Sequence, residues 1–339
     1  MEIRQNHSLL EHNTFGIRAQ ADWFVSFHGL EDLSLLARDE YFQECRCLTI
    51  GEGSNLLFLA NFHGVILHSE IQTIERMSED EEHVDFLVGS GVRWNDFVSL
   101  ASQEGLGGIE NLALIPGEVG AAAIQNIGAY GMEICERIVA VHTFHRRTGE
   151  QRIFSKDECA YAYRHSIFKE PEYADYIVTH VHLRLDKSPT LRLDYADLRE
   201  RITSQYKAPT PDDVRREVID IRESKLPNPK VIGNAGSFFM NPVVDASVFE
   251  ALQRSYPNMP HYPLADGRVK VPAGWLIDTC GLKGYRMGHA GVYEKQALVL
   301  INADGEATGQ DIARLAEHIQ SEVMQRFSIA IEPEVRYIV

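Results

Sequence analysis

Residues 114–131 read LIPGEVGAAAIQNIGAYG, and this stretch decides the fold. It contains four glycines and no lysine or arginine. Without a Cβ atom the backbone can approach a flat ligand closely and can adopt left-handed conformations. Its amide groups can then face an electron-rich ring or a phosphate. Residues 50–57 form a second such segment, IGEGSNLL. Either segment alone would indicate only tight turns, but together they predict a large cofactor lying across two glycine-lined surfaces.

The composition is that of a globular protein without a basic surface. The 339 residues suffice for two or three domains with buried cores. The net charge of −16 disfavours binding to nucleic acids and to anionic membranes, because both need a basic face. No uninterrupted apolar run approaches the length that spans a bilayer. We therefore expect no nucleic-acid partner and no membrane insertion. We also expect a monomer, although composition and charge do not determine the oligomeric state.

The cysteines indicate a reducing compartment. They are five in number, and their spacing matches no zinc site, so we expect no bound metal. The first seven residues lead into no apolar core, so no signal peptide is predicted. The expected location is the cytoplasm.

Hydrophobic periodicity predicts an α+β chain. The predicted strands are 47–51, 64–69, 83–91, a hairpin of 138–144 with 151–154, then 176–185 and 329–339. The predicted helices begin at Trp94 and at Pro211, and lie near 245–256, 272–280 and 310–327. Thr210 is a capping residue for the helix at Pro211. Pro227 and Pro229 indicate a domain boundary.

Residues 51–56 contain the first two glycines of a dinucleotide fingerprint but lack the third. Strand-like sequence follows them instead of a helix. This pattern disfavours a nicotinamide-binding Rossmann dehydrogenase. It predicts a pyrophosphate-binding turn in another fold, to which Ser54 and Asn55 would add side-chain donors.

Several polar residues are candidates for chemistry, each with a simpler alternative. Arg164 offers a planar fork that can clamp a carboxylate, or it is a surface arginine. Ser237 lies between a glycine and two phenylalanines, a setting that can expose one hydroxyl at the edge of an apolar surface. The alternative is a serine in a turn. It does not lie in a nucleophile elbow.

Two further pairs stay open at this stage. Arg222 and Lys225 share a helix face, either as a phosphate clamp or as cations that stabilise a helix C-terminus. Glu334 and Arg336 are two apart on a predicted strand, where a surface ion pair would be worth only about 0–1 kcal/mol.

Six motifs in order resemble those of the UDP-N-acetylenolpyruvoylglucosamine reductases, flavoenzymes of bacterial peptidoglycan precursor synthesis. They are residues 51–55, 115–117, 125–131, 163–166, 236–239 and 332–336. Residues 194–198 resemble the tyrosine-bearing loop of the longer, type I members. One departure is Ala121-Ala122-Ala123, which replaces a serine- and proline-containing stretch.

The resemblance implies an FAD-binding fold of the vanillyl-alcohol-oxidase (PCMH) type, in two subdomains, with an α+β substrate-binding domain. The implied division is subdomain 1 at 1–70 and subdomain 2 at 71–226, with the tyrosine loop near 195. A substrate domain follows at 227–327, and a C-terminal strand, 328–339, carries Glu334 to the active site.

The resemblance also implies an activity: NADPH-dependent, FAD-mediated reduction of UDP-N-acetylglucosamine enolpyruvate to UDP-N-acetylmuramate, a dehydrogenase reaction. Hydride from flavin N5 would add to the terminal enolpyruvyl carbon. The implied catalytic residues are Arg164 and Glu334 at the carboxylate and Ser237 as proton donor. The implied substrate-binding residues are Tyr130, Tyr195, Lys225 and Asn241.

The two glycine segments supply the predicted FAD-binding residues. These are Gly51, Glu52, Gly53, Ser54, Asn55, Ile115, Pro116, Gly117, Gly120, Ile124, Asn126 and Gly128. Two alternatives to the reductase are an FAD-dependent oxidase or dehydrogenase of the same fold, acting on an alcohol or hydroxy acid, and a non-catalytic UDP-sugar-binding protein.

Overall fold

The structure is a computed structural model that describes residues 1–339, apart from the side chain of Ala196. Its strands are β1 Glu2–Ser8, β2 Gln20–Phe27, β3 Cys47–Ile50, β4 Leu56–Phe58, β5 Phe62–Ser69, β6 Ile74–Glu79, β7 His83–Gly89, β8 Gly128–Ala129, β9 Met132–Glu133, β10 Ile138–His145, β11 Gln151–Ser155, β12 Tyr176–Asp186, β13 Gly233–Ser237, β14 Val243–Val244, β15 Tyr262–Pro263, β16 Val269–Lys270, β17 Arg286–Met287, β18 Ala290–Val292, β19 Val299–Asn302 and β20 Arg336–Ile338. Its α-helices are α1 Leu30–Leu36, α2 Glu40–Glu44, α3 Trp94–Gln103, α4 Val119–Gln125, α5 Ala196–Gln205, α6 Pro211–Lys225, α7 Ala246–Ser255, α8 Ala273–Thr279 and α9 Gly309–Phe327.

The chain divides into two compact units, and neither is one continuous segment. Unit 1 consists of Met1–His7, Ala21–Glu52 and His63–Ser224. Unit 2 consists of Ser8–Gln20, Gly53–Phe62 and Lys225–Val339. The first glycine segment therefore begins in unit 1 and ends in unit 2. The predicted domains 1–70, 71–226, 227–327 and 328–339 stay a prediction.

Unit 1 is built on two sheets. One has the order β1-β2-β5-β3, in which β3 and β5 are parallel; the other is antiparallel, with the order β11-β10-β12-β7-β6. The inner face of the second sheet forms one core with α3 and α6. Trp94, Phe97, Val98 and Ala101 form the buried stripe of α3, as the periodicity predicts.

Unit 2 contains the sheet β13-β19-β18-β17, against which α9 packs. The buried face of α9 carries Ile312, Leu315, Ile319 and Val323, which recur at helical spacing. Thr308 caps this helix. Its hydroxyl accepts a hydrogen bond from the Asp311 amide, and the Asp311 carboxylate accepts one from the Thr308 amide. A parallel pair, β20-β4, joins two parts of the chain that are distant in sequence.

The predicted strand 329–339 is wrong over most of its length, because only Arg336–Ile338 is a strand. Pro333 has no N–H to give to a ladder. Residues 332–334 are held by 238–240 instead: the Met240 amide donates to Glu332 O at 2.9 Å. Glu334 and Arg336 therefore do not share one strand.

The long glycine segment contains a helix that its glycines did not predict. Residues 119–125 form α4, and the three consecutive alanines favour this conformation because alanine has the highest helix propensity. Among the described residues, no helix combines the length and apolarity needed to cross a bilayer.

Candidate active site

The second glycine segment is fixed in unit 1 by the turn between β7 and α3. The Trp94 amide donates to Gly117 O at 2.9 Å, and the Gly120 amide donates to Ser90 O at 3.0 Å. A Cβ at Gly120 would lie 2.7 Å from the Ser90 Cβ, so only glycine fits there. Gly117 has φ of 120°, which also requires glycine.

The unit 1 part of the first glycine segment is bonded to the second. The Gly117 amide donates to Glu52 Oε2 at 2.9 Å, and Arg93 Nε lies 3.2 Å from Glu52 Oε1. A Cβ at Gly51 would lie 3.1 Å from Glu118 Oε2. The structure thus brings Gly51, Glu52, Gly117 and Glu118 together, as a cofactor that touches both segments requires.

A buried acid–base pair lies beside this junction. His68 Nε2 and Glu118 Oε1 are 3.0 Å apart, and both side chains are largely withdrawn from solvent. Burial raises the pKa of Glu118, although His68 opposes this effect. Burial disfavours charge on His68, but its bond to Glu118 outweighs this and raises the pKa of His68. The sequence did not predict this pair, because it links residues fifty apart with no motif.

The negative charges of the two carboxylates in these segments are therefore balanced by neighbouring groups. Glu52 is matched by Arg93 and a backbone amide, and Glu118 by His68. The surrounding chain is glycine and alanine backbone. Neutralised carboxylates and closely approachable backbone fit FAD, because its diphosphate is negatively charged and its ring needs a flat, close surface.

Asn126 ends α4 in the left-handed conformation, with φ of 45°. Its Nδ2 donates to Glu133 Oε2 and to Ala162 O, both at 2.9 Å, and its Oδ1 accepts from the Cys135 amide at 3.1 Å. The side chain thus connects the glycine segment to the loop that carries Arg164. Its predicted contact with FAD stays a prediction.

Arg164 lies against the glycine segment. Its Nη2 donates to Gly128 O at 2.7 Å, and a Cβ at Gly128 would lie 3.0 Å from its Nη1. Arg164 itself has φ of 56°, a conformation that is costly for a side-chain-bearing residue. Such strain persists only where the surroundings enforce it, and here it directs the guanidinium to residues 126–128. The predicted catalytic arginine and a predicted FAD-binding residue are therefore in direct contact.

The predicted substrate-binding residues Tyr130 and Tyr195 also meet in unit 1. Their ring centroids are 5.4 Å apart in an edge-to-face arrangement, and Tyr195 immediately precedes α5. Burial raises the pKa of Tyr130, while the charge of Arg222 opposes this.

Arg222 is a partly buried residue whose burial the sequence did not reveal. Burial lowers the pKa of its guanidinium, and the charge of Arg164 lowers it further. Its buried Nε makes no hydrogen bond to any atom that the structure describes. Arg222 interacts electrostatically with both Tyr130 and Arg164, and its guanidinium is suited to binding an anion. The sequence left a phosphate clamp and a helix-end cation open for Arg222 and did not predict its burial.

In unit 2, Ser237 and Glu334 lie on neighbouring chain segments. The Glu334 amide donates to Phe238 O at 2.8 Å, and Phe239 pairs with Pro333. Phe238 and Phe239 are fully buried while Ser237 is exposed. The serine hydroxyl therefore stands at the edge of an apolar wall, as its neighbours in the sequence indicate.

Asn55 connects the first glycine segment to Glu334. Its Nδ2 donates to Glu334 O at 3.0 Å, and its own carbonyl accepts from the Arg336 amide at 3.0 Å. Gly53 has φ of 65°, and a Cβ there would lie 2.0 Å from His12 O, so this glycine is required by packing. Ser54 is half-buried between them.

The other predicted residues are placed as follows. Ile124 O accepts from the Ser166 hydroxyl at 2.7 Å; Ile115 is half-buried and Pro116 exposed. Asn241 Oδ1 accepts from the Ala273 amide at the start of α8, at 2.9 Å, and Lys225 is the last residue of α6. Within the part of the chain that is described, no group of three or more His, Cys, Asp or Glu side chains is arranged to hold a metal ion.

Two family models match the chain. Residues 227–338 match the C-terminal domain of UDP-N-acetylenolpyruvoylglucosamine reductase, and residues 21–155 match an FAD-binding domain. A UDP-N-acetylenolpyruvoylglucosamine reductase of Porphyromonas gingivalis is 54% identical over 338 residues, covering 100% of both chains. The chain belongs to this reductase family. A family member from Bacteroides fragilis is 47% identical, covering 99% of this chain and 100% of its own.

Solved structures agree with this assignment. The reductase from Thermus caldophilus superposes with a TM-score of 0.68 at 26% identity, covering 100% of this chain and 98% of its own. A 6-hydroxy-D-nicotine oxidase from Arthrobacter nicotinovorans matches with a TM-score of 0.50 at 13% identity, covering 96% of this chain and 85% of its own. That likeness concerns the fold alone. The predicted α+β FAD-binding fold of the vanillyl-alcohol-oxidase type is confirmed.

Proposed function

We propose that this chain reduces UDP-N-acetylglucosamine enolpyruvate to UDP-N-acetylmuramate in peptidoglycan precursor synthesis, with NADPH as reductant. Bound FAD supplies the hydride that the terminal carbon of the enol ether receives. The substrate gains that hydride and one proton, and NADPH becomes NADP⁺. Family membership gives the reaction class, and the arrangement of Ser237 beside the Glu334 segment is the observation that carries the assignment of roles.

Ser237 is the proton donor in this proposal. A hydroxyl is a weak acid, so it can protonate only a strongly basic partner, such as the carbanion that forms beside the substrate carboxylate. Its exposure next to two buried phenylalanines supports this role, because a bound substrate can reach the Ser237 side chain. The Phe238–Glu334 backbone bond holds Glu334 on the adjacent segment.

Arg164 and Glu334 bind the substrate carboxylate and stabilise the negative charge that spreads into it, Arg164 as a cation and Glu334 as a protonated carboxyl that donates a hydrogen bond. The bond from Arg164 to Gly128 O supports this role, because it fixes the guanidinium before substrate arrives. Arg222 adds a second buried cation near Arg164. The diphosphate and sugar are bound by Tyr130, Tyr195, Lys225 and Asn241, of which the two tyrosines are already in contact.

The test separates the two halves of the reaction. Purified protein should show flavin absorbance that bleaches anaerobically with NADPH and returns when the enolpyruvyl UDP-sugar is added. Ser237→Ala should keep the bleaching and lose the return. Ser255→Ala, which changes another exposed serine at the end of α7, is the matched control and should behave as the wild type.

The outcomes discriminate between the candidate functions. Oxygen uptake with hydroxy acids and no response to NADPH would favour an oxidase of the same fold. A colourless protein that binds UDP-sugar and takes up no FAD would favour a sugar-binding protein. Normal reoxidation of Ser237→Ala by the substrate would refute the proton-donor assignment.

We also infer that the enzyme works as a cytoplasmic monomer. All five cysteines are free thiols, although Cys45 Sγ and Cys47 Sγ lie only 3.4 Å apart. Free thiols in such proximity fit a reducing compartment. Sedimentation of the purified chain tests the oligomeric state.

A further inference from the structure

The His68–Glu118 pair joins the two glycine segments at their bases. His68 lies on β5 opposite Ile50 of β3, and Gly51 follows Ile50 directly. Glu118 lies inside the second segment, directly after Gly117, and is 3.0 Å from His68. A protonation change in this pair therefore alters the charge beside both predicted FAD-binding segments.

Neighbouring charges also act on this pair. Glu52 and Glu70 favour the protonated form of His68. Glu52 also favours the protonated form of Glu118, which Arg93 opposes. Glu52 is itself paired with Arg93. The pKa of His68 and the pKa of Glu118 are both raised, so the pair holds its shared proton to higher pH than an unperturbed histidine does. With that proton the pair has no net charge; without it, one negative charge remains.

We propose that the His68–Glu118 pair controls how tightly FAD is held, by keeping the Glu118 carboxylate neutralised beside an anionic cofactor. The inference rests on the proposed function, because it takes residues 51–55 and 114–131 as the FAD-binding segments. Once the shared proton is lost, the uncompensated carboxylate repels the cofactor through a poorly screened environment. FAD and the proton therefore bind cooperatively, and each strengthens the binding of the other.

The direction of the pH dependence follows from this coupling. A group that holds its proton more firmly when FAD is bound makes FAD affinity fall as pH rises. The dissociation constant should increase by at most about tenfold per pH unit, since one proton is linked. The dependence should begin above the ordinary histidine pKa, because the pKa of His68 is raised.

The experiment measures FAD release from the holoenzyme. Enzyme is diluted at a series of pH values between about 6 and 9, and released FAD is measured by its fluorescence. Wild type should release more FAD as pH rises. Glu118→Gln keeps the shape of the side chain and removes its charge, so unpaired His68 loses its proton at lower pH than in the wild type. The dissociation constant of this variant should therefore not vary with pH above the ordinary histidine pKa. His68→Gln leaves Glu118 to titrate alone, so the dependence should move to lower pH.

Two controls make the result specific. Glu70→Gln removes a more exposed carboxylate near His68 and should keep the wild-type slope. The double variant His68→Gln/Glu118→Gln should bind FAD with no pH dependence. Circular dichroism and the melting temperature of each variant confirm that it is folded.

A wild-type slope in Glu118→Gln would overturn the inference while leaving the proposed function intact. So would weakening of the same size in Glu118→Gln at every pH, because that result indicates a purely structural role. A wild-type protein that binds no FAD at any pH would refute the proposed function itself.

Discussion

Gly128→Ala is the sharpest test of how Arg164 is positioned. Gly128 has no left-handed φ, so alanine there causes no backbone strain by itself. The added Cβ would lie 2.9 Å from Met132 O and 3.0 Å from Arg164 Nη1. The Met132 carbonyl is backbone, so this clash displaces the turn between β8 and β9. The Arg164 guanidinium and the Glu133 side chain, whose Cγ would also lie 3.0 Å from the new Cβ, must shift as well.

The expected effect follows from the bond that this shift breaks. Arg164 Nη2 donates to Gly128 O at 2.7 Å, and a hydrogen bond of a charged group is worth about 1.5–3 kcal/mol. If the fixed guanidinium stabilises the transition state by that amount, its loss slows the substrate half-reaction by about 10- to 100-fold. Stability should fall by about 1–3 kcal/mol, as for other overpacked sites.

Anaerobic stopped-flow absorbance provides the assay, with prereduced enzyme mixed with the enolpyruvyl substrate. Flavin reduction by NADPH is measured separately and should change little. Gly29→Ala is the control, since a Cβ there has no heavy atom within 4 Å among the described residues and its φ is extended. A folded Gly128→Ala enzyme with a wild-type rate of substrate reduction would refute the positioning argument.

Three further predictions concern stability and are measured by urea unfolding. Asn126→Ala should lower the free energy of unfolding by about 2–4 kcal/mol, because it breaks three hydrogen bonds and places alanine at φ of 45°. Asn126→Gly tolerates that φ and should be about 1 kcal/mol less destabilising. Equal losses in the two variants would contradict a cost of the left-handed conformation. Thr308→Ala should lose about 1 kcal/mol through the cap of α9, whereas no loss would show that the capping bonds contribute nothing. Arg184 and His182 lower the pKa of Asp85 to about 2 in the folded protein, from about 3.8 in the unfolded chain. The ion pairs of Asp85 therefore stabilise the fold fully above pH 3.8, and this contribution disappears as the pH falls through about 2. Asp85→Asn should therefore cost about 1 kcal/mol at pH 7 and progressively less below pH 4; a cost that does not depend on pH would refute the charge argument.

The sequence predicted the elements whose signal is local. The stripes of α3, α6 and α9 are buried as their periodicity requires, and Thr210 caps α6 through a bond from the Asp213 amide at 3.2 Å. Helix periodicity and caps are properties of neighbouring residues, so one sequence contains them. The family motifs added the fold, because several motifs in order are specific where one is not. The site residues that they imply stay predictions.

The rest depends on contacts between residues far apart in the chain. The burial of Arg222 beside Arg164, the His68–Glu118 pair and the bond from Glu52 to Gly117 all join separate segments. No local pattern encodes which segments meet. The predicted strand 329–339 was wrong for a related reason: apolar alternation indicated a strand, but residues 332–334 bond to 238–240 rather than continuing β20.

The pairing of β20 with β4 has a consequence for biosynthesis. Leu56–Phe58 leaves the ribosome long before Arg336–Ile338 is made. The backbone groups of β4 that bond to β20 are therefore unpaired during most of synthesis. Contacts of such high sequence separation form late, because a long loop must close first. Asn55 and Glu334 lie next to this pairing. During synthesis both glycine segments are therefore made before Glu334 can be positioned. Removing residues 336–339 would therefore leave β4 without its parallel partner and remove the bond from the Arg336 amide to Asn55 O beside Glu334.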